Sequence, residues 1–140
     1  MPRLLGIDYG KVRIGVALSD VTGTIAGPLA TVRNHNGCVD EILELCRANR
    51  VDGIVMGYPR NMDGSEGGNC AMVREFSGRL EEASDYRVVY WDERLSSCAI
   101  HSMLAETGTR VGRDKGKVDR MAAVYILQGY LDYLKSHPGG

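Results

Sequence analysis

Residues 4–20, which read LLGIDYGKVRIGVALSD, constrain the fold of this chain more than any other stretch. Two apolar, β-prone runs, residues 4–9 and 13–19, are separated by a short link that contains Gly10. Two such runs with a short glycine-containing link between them predict a β-hairpin. The rest of the chain must therefore pack on the two faces of a sheet that includes this hairpin.

The second run has one face of small side chains, formed by Gly15, Ala17 and Ser19. A strand face without bulky side chains predicts close approach by a helix or a ligand. In the first run, Asp8 lies near the end of an otherwise apolar strand. A charge in such a place is costly unless it is paired or bound to a metal ion, so Asp8 is the first candidate for a functional residue.

The composition is that of an ordinary globular protein, with 140 residues, of which 44% are hydrophobic and 25% charged. It predicts a single domain spanning residues 1–140. No apolar run approaches the roughly 18 residues of a membrane helix, and the N-terminus shows no signal-peptide core. The four cysteines form no C-x-x-C pair, and reduced thiols are typical of cytosolic proteins. We therefore expect a cytoplasmic protein without membrane attachment.

The charge gives little sign of a polyanionic partner, because the net charge is −1 at pH 7. Any such partner must be held by a local patch rather than by the field of the whole protein. The best candidate is the segment 110–120, which contains five Lys or Arg residues and only two Asp. On charge alone, a solvated basic loop is the simpler interpretation.

The remainder of the chain predicts alternating strands and helices. Residues 25–32 form a third strand, and Pro28 favours an edge position for it. Helices are expected over residues 38–49, 69–83, 96–106 and 117–135, and buried strands over residues 53–57 and 87–91. An antiparallel meander followed by two βα units predicts one mixed sheet with helices on both faces.

Several acids are expected at the carboxyl ends of the parallel strands, where ligands of such sheets bind. Asp8 and Glu93 would both lie at that edge. Strand alternation puts Asp92 and Glu93 on opposite faces, but it does not say which of them faces the site. Asp119, in the first turn of the last helix, shares a stripe with apolar residues that pack on the sheet. A solvated strand end and a helix cap remain the simpler alternatives for these acids.

Three acids on separate elements, Asp8, Glu93 and Asp119, would thus converge at one edge of the sheet. Clustered carboxylates repel one another unless a cation lies among them, and hard oxygen ligands suit Mg²⁺ or Mn²⁺. Two such ions about 3.5–4 Å apart would activate water and stabilise the leaving oxygen in phosphodiester hydrolysis. With 18 acidic residues in the chain, this grouping is one hypothesis.

Four motifs of the chain resemble the YqgF family, whose members are described as Holliday junction resolvases or as nucleases of ribosomal RNA precursors. The motifs are GIDYGKVRIGVALSD at residues 6–20, GYPRNMDGSEG at 57–67, DERLSS at 92–97 and KGKVD at 115–119. The resemblance implies an α/β, ribonuclease H-like fold. Its five-stranded mixed sheet has the order 3-2-1-4-5, with the first three strands antiparallel and helices on both faces. The resemblance also implies an acidic metal site at Asp8, Glu93 and Asp119.

The resemblance further implies a substrate-binding surface around these acids. The motif positions that would line it are Arg13, Asn61, Asp63, Arg94, Lys115 and Lys117. Arg120 departs from the family pattern, which more often has a small residue after the aspartate. Arg120 would either add a phosphate contact or crowd the site, and the sequence does not decide between the two.

The function that the resemblance implies is that of a metal-dependent endonuclease acting on structured nucleic acid. Within this interpretation, the resemblance favours processing of pre-16S ribosomal RNA over Holliday junction resolution. A resolvase must cut two strands in concert, which normally needs a symmetric dimer with two sites. The sequence neither demands nor forbids a dimer, so a monomer and a homodimer both stay open. A non-catalytic scaffold that binds RNA or a protein is an alternative of another class. An ATPase is a third, since GIDYGKVRIGVA also resembles a phosphate motif of the actin and sugar kinase superfamily.

Overall fold

The computed structural model describes residues 3–58, 68–92 and 115–136. The strands are β1 (Leu4–Asp8), β2 (Arg13–Ser19), β3 (Ala26–Arg33), β4 (Gly53–Tyr58) and β5 (Val88–Asp92). The helices are α1 (Cys38–Ala48), α2 (Gly68–Glu82) and α3 (Lys115–Ser136). Within the described ranges, none of the helices combines the length and the hydropathy that a bilayer span requires.

The strands form one five-stranded sheet in the order β3-β2-β1-β4-β5. Strand β2 pairs antiparallel with both β1 and β3, whereas β4 pairs parallel with both β1 and β5. The predicted strand order and pairing directions are therefore confirmed. Pro28 lies on the edge strand β3, as predicted, next to an irregularity of the β2–β3 register between Val16 and Ala17.

The sheet separates two apolar layers, because side chains of a strand alternate between its faces. One face packs on α1 and α2, and its core includes Ile14, Val16 and Phe76. The other face packs on α3, and its core includes Ala17 and Leu127. The first layer therefore supports one face of the sheet, and the second holds α3 on the other face.

Helix α3 lies directly on the small-residue face of the hairpin. A Cβ atom at Gly15 would lie 1.9 Å from the carbonyl oxygen of Asp119, and one at Gly6 would lie 2.7 Å from the Cβ atom of Leu127. Neither distance is possible between real atoms, so the close approach of the helix depends on both glycines. The prediction of a helix or a ligand on this face is confirmed as a helix.

Two expectations from the sequence were wrong in detail. Strand β5 was predicted to be buried, but it lies at the sheet edge, and Val89 and Tyr90 are 38% and 41% exposed. Its apolar run is short, and an apolar run alone does not say whether a neighbour covers the strand. Helix α3 begins at Lys115, within the segment predicted as a loop. The predicted helix over residues 96–106 lies outside the described residues.

We expect Gly15→Ala to lower the free energy of unfolding by about 1–3 kcal/mol or more, because the added Cβ atom must push the backbone of α3 outwards. Urea denaturation measures this change. Gly27→Ala is the matched control, since a Cβ atom at Gly27 in β3 would meet nothing within 4 Å. The control should change stability by no more than about 0.5 kcal/mol. Equal effects of the two substitutions would contradict the close packing of α3 on Gly15.

Candidate active site

Asp8 is the last residue of β1 and lies at the carboxyl end of the parallel strands. It is two residues beyond Gly6, which contacts α3, so strand alternation puts both residues on the α3 face of the sheet. The side chain is partly buried. Asp8 therefore lies at the edge and on the face where a ligand bound beside α3 would meet it.

Asp119 reaches the same place from a distant part of the chain. Its backbone lies on Gly15, and Gly15 is the register partner of Asp8 in the β1–β2 pair. Gly15 is also the partner of Thr31 in β3. A row across three strands thus contains Thr31, Gly15 and Asp8. The start of α3 lies over Gly15, at the centre of this row. The structure brings Asp8 and Asp119 to one edge and one face of the sheet.

Arg13 forms an ion pair with Asp119. Its Nε donates a hydrogen bond to Oδ2 of Asp119 over 2.8 Å, and the two side chains are 34% and 21% exposed. Arg13 is two residues before Gly15 on β2, so it shares the small-residue face on which α3 packs. The sequence implied a substrate contact for Arg13, and the structure adds this direct contact with a predicted metal ligand. Strand alternation is the signal that could have placed Arg13 on this face from the sequence.

Arg120 extends away from Asp8. Its Nη1 donates a hydrogen bond of 3.0 Å to Oγ1 of Thr31, which belongs to β3. Because β2 lies between β3 and β1, the guanidinium of Arg120 lies on the far side of Gly15 from Asp8. This hydrogen bond therefore holds the guanidinium of Arg120 away from Asp8, and both alternatives for Arg120 stay predictions.

Asp92 lies on the opposite face from Asp8. Its neighbour Trp91 packs against Gly129 of α3, where a Cβ atom would lie 2.8 Å from the indole Nε1. Tyr90, by contrast, forms a hydrogen bond with Ser77 of α2. Asp92 follows Trp91 within β5, so it shares the α2 face with Tyr90. Asp92 therefore faces α2, an orientation that strand alternation alone did not determine.

Several predicted site residues cannot be placed from the described ranges. Glu93, Asn61, Asp63 and Arg94 lie outside them, and for Lys115 and Lys117 only the helical backbone is described. Within the described ranges, no group of three or more His, Cys, Asp or Glu side chains is positioned to hold a metal ion. The two carboxylates present are hard oxygen donors of the kind that Mg²⁺ and Mn²⁺ prefer, so they fit part of such a ligand set.

Asn34 is a structural residue of the site that the sequence did not indicate. Its Nδ2 donates to the carbonyl oxygen of Gly10 over 2.8 Å, and its backbone N–H donates to the carbonyl oxygen of Val12 over 2.9 Å. Both acceptors lie in the link between Asp8 and Arg13. Asn34 therefore fixes the loop that connects these two residues, and no periodic pattern marks it in the sequence.

Asp20, the last acid of the first motif, stabilises the turn between β2 and β3. This turn lies at the opposite end of the strands from Asp8. Its carboxylate accepts hydrogen bonds from the hydroxyl of Thr22 and from the backbone N–H groups of Thr24 and Ile25. The hydroxyl of Thr22 first, and then the two N–H groups, lower the pKa of Asp20 to about 2. This carboxylate thus shapes the β2–β3 connection and lies away from Asp8.

Comparison with known proteins gives related sequences along nearly the whole chain. Residues 2–133 match the family model described as "RuvX: Holliday junction resolvase". A protein of Ruegeria sp. (strain TM1040) is 42% identical over 137 residues, which cover 96% of this chain and 87% of that protein. A protein of Paramagnetospirillum magneticum is 46% identical over 132 residues, covering 93% and 85%. Both relatives carry the name "Putative pre-16S rRNA nuclease".

Solved structures with the same fold are more distant in sequence. RuvC of T. thermophilus, in complex with a Holliday junction substrate, has a TM-score of 0.60 at 15% identity and covers 98% of each chain. The Fowlpox virus resolvase, in complex with Holliday junction DNA, has a TM-score of 0.55 at 10% identity, covering 94% of this chain and 98% of that one. Together with the observed sheet order, these neighbours establish the ribonuclease H-like fold.

We expect a double-mutant cycle of Arg13→Gln and Asp119→Asn to give a coupling energy of about 1 kcal/mol. A hydrogen bond to a charged group contributes about 1.5–3 kcal/mol when buried, and partial exposure reduces this value. Urea denaturation of the four proteins measures the coupling. The control cycle uses Arg47 and Glu44, a pair on α1 whose side chains are 58% and 73% exposed. Its coupling should be about 0.3 kcal/mol, and a zero coupling for Arg13 and Asp119 would contradict the ion pair.

Proposed function

This chain belongs to the RuvX (YqgF) family, and from this membership we propose that it is a metal-dependent endonuclease whose substrate is pre-16S ribosomal RNA. The observation that carries the proposal is the arrangement of Asp8 and Asp119. Two carboxylates from opposite ends of the chain lie on one face, at the carboxyl edge of a ribonuclease H-like sheet. A non-catalytic scaffold would not need this arrangement.

The proposed metal ligands are Asp8, Glu93 and Asp119, and the proposed ion is Mg²⁺ or Mn²⁺. Such ions, when bound, lower the pKa of water and stabilise a leaving oxygen. The chain supplies rigid placement: β1 holds Asp8, and the packing of α3 on Gly15 holds Asp119. The guanidinium of Arg13 offsets the charge of Asp119, which lowers the repulsion between the two carboxylates before an ion binds.

The proposed substrate contacts surround these acids. They are Arg13, Asn61, Asp63, Arg94, Lys115, Lys117 and Arg120. The structure supports Arg120 most directly, because its hydrogen bond to Thr31 holds the guanidinium beside the start of α3. A guanidinium group binds a phosphate through two parallel hydrogen bonds, which suits a contact with the backbone of a nucleic acid.

Two lines of comparison favour different substrates. The relatives named for pre-16S rRNA are 42% and 46% identical to this chain, whereas the structures with bound junctions are 15% and 10% identical. A shared fold at such low identity does not transfer a substrate, so we favour the RNA precursor. Holliday junction resolution is the second candidate, because the family model carries that description. It would require a symmetric dimer with two sites.

The test compares the wild-type protein with Asp8→Asn on a pre-16S RNA fragment and on a four-way DNA junction. We expect cleavage of the RNA that needs Mg²⁺ or Mn²⁺ and stops with EDTA. In Asp8→Asn it should fall by at least the roughly 10–100-fold that loss of a ligand's hydrogen-bond partner costs. Asp85→Asn is the control, since Asp85 is an exposed acid in the turn before β5. Symmetric cleavage of the junction alone would favour the resolvase. No cleavage of either substrate by the folded wild-type protein would contradict the proposal.

A further inference from the structure

Strand β3 presents two residues to the face of the sheet that carries the candidate site. Arg33 is the register partner of Arg13, and Thr31 is the register partner of Gly15. Residues directly opposite each other in an antiparallel pair point to the same face. Arg33 therefore lies beside the ion pair of Arg13 and Asp119, on the outer edge of the sheet.

The pairing of Arg13 with Arg33 sets two positive charges directly opposite each other. Their Cβ atoms lie about 4.5–5.5 Å apart in such a pair, and like charges at that separation destabilise a sheet. Asp119 offsets the charge of Arg13. Arg33 is exposed and forms no ion pair with the residues that the structure describes. The fold alone therefore gives no reason for a positive charge at this position.

Arg120 adds a second positive charge to the same strip of surface. Its guanidinium lies at Thr31, which is two residues from Arg33 on β3 and hence roughly 6–7 Å away along the strand. The positive charges of Arg33 and Arg120 thus both lie along the edge strand β3, next to Asp119. Because the whole chain has a net charge of −1, this concentration of positive charge is local rather than a property of the whole surface.

We propose that Arg33 and Arg120 form a phosphate-binding strip along β3, which holds the backbone of the nucleic acid substrate on the β3 side of the active site. The inference rests on the proposed function and adds the path that the substrate follows. Arginine pairs with phosphate irrespective of base sequence, so the strip positions the strand rather than selecting it. A bound phosphate also offsets the repulsion between Arg13 and Arg33. The strip begins beside Asp119, one of the proposed metal ligands.

The experiment measures binding without cleavage, using fluorescence anisotropy of a labelled pre-16S RNA fragment in EDTA across a salt series. Each phosphate contact contributes about 0.7–0.9 to the slope of log K against log salt concentration. We expect Arg33→Gln to reduce the slope by about that amount, and Arg33→Gln with Arg120→Gln by about twice as much. Arg87→Gln is the control, because Arg87 is exposed just before β5, at the opposite edge of the sheet. It should leave the slope unchanged.

A second readout tests the repulsion without any ligand. Arg33→Gln should unfold at an equal or higher urea concentration than the wild-type protein, because it removes one of two opposed positive charges. A lower unfolding midpoint would contradict the repulsion on which the strip is argued. This measurement also shows whether a loss of binding reflects a loss of folding.

The possible outcomes distinguish a failure of the strip from a failure of the proposed function. If the wild-type protein binds and the substitutions at Arg33 and Arg120 leave the slope unchanged, the strip is wrong and the proposed function stands. If Arg87→Gln reduces the slope as much as Arg33→Gln does, binding depends on total charge and the strip is again wrong. If the folded wild-type protein binds no nucleic acid even at low salt, the proposed function fails and the strip fails with it.

Discussion

The close approach of α3 to the glycine face of the hairpin is the constraint on which the rest of the structure depends. Gly15 and Gly6 leave no room for a Cβ atom beneath the helix, so the backbone of α3 rests on the backbone of β2 and on β1. This contact brings Asp119 to the edge where Asp8 ends β1. A bulkier strand face would hold α3 farther from the sheet and separate the two carboxylates.

Charge at this edge is arranged in two zones. Within the site, Asp119 is paired with Arg13, so a half-buried carboxylate is stabilised before any ligand binds. Beside the site, Arg33 is exposed on β3, and the partly buried Arg120 donates a hydrogen bond to Thr31 of the same strand. The first zone suits the binding of a cation among carboxylates, and the second suits a polyanion. The proposed nuclease would use both kinds of surface side by side, because the reacting phosphate would approach the proposed metal ligands.

The sequence predicted the sheet well, and the site only in part. The hairpin, its small face and the helical stripe of α3 follow from residue periodicity, and the strand order followed from the family resemblance. Periodicity did not show that β5 is an exposed edge, because exposure depends on which element covers a strand. It also could not pair Arg13 with Asp119 or assign Asp92 to the α2 face, since both depend on contacts between distant segments. Predictions for Glu93 and for the loop with Asn61 and Asp63 stay predictions.

We expect the packing of α3 on Gly15 to bring Asp119 and Asp8 together in the proposed metal site. A titration with Mn²⁺, monitored by electron paramagnetic resonance, tests this shared site without any measurement of catalysis. Asp8→Asn and Asp119→Asn should each weaken Mn²⁺ binding by about 10-fold or more, and Asp85→Asn should bind Mn²⁺ with the wild-type affinity. The double variant should lose the one Mn²⁺ site that each single variant weakens. Binding of Mn²⁺ by Asp119→Asn with the affinity of the wild-type protein would contradict this shared site.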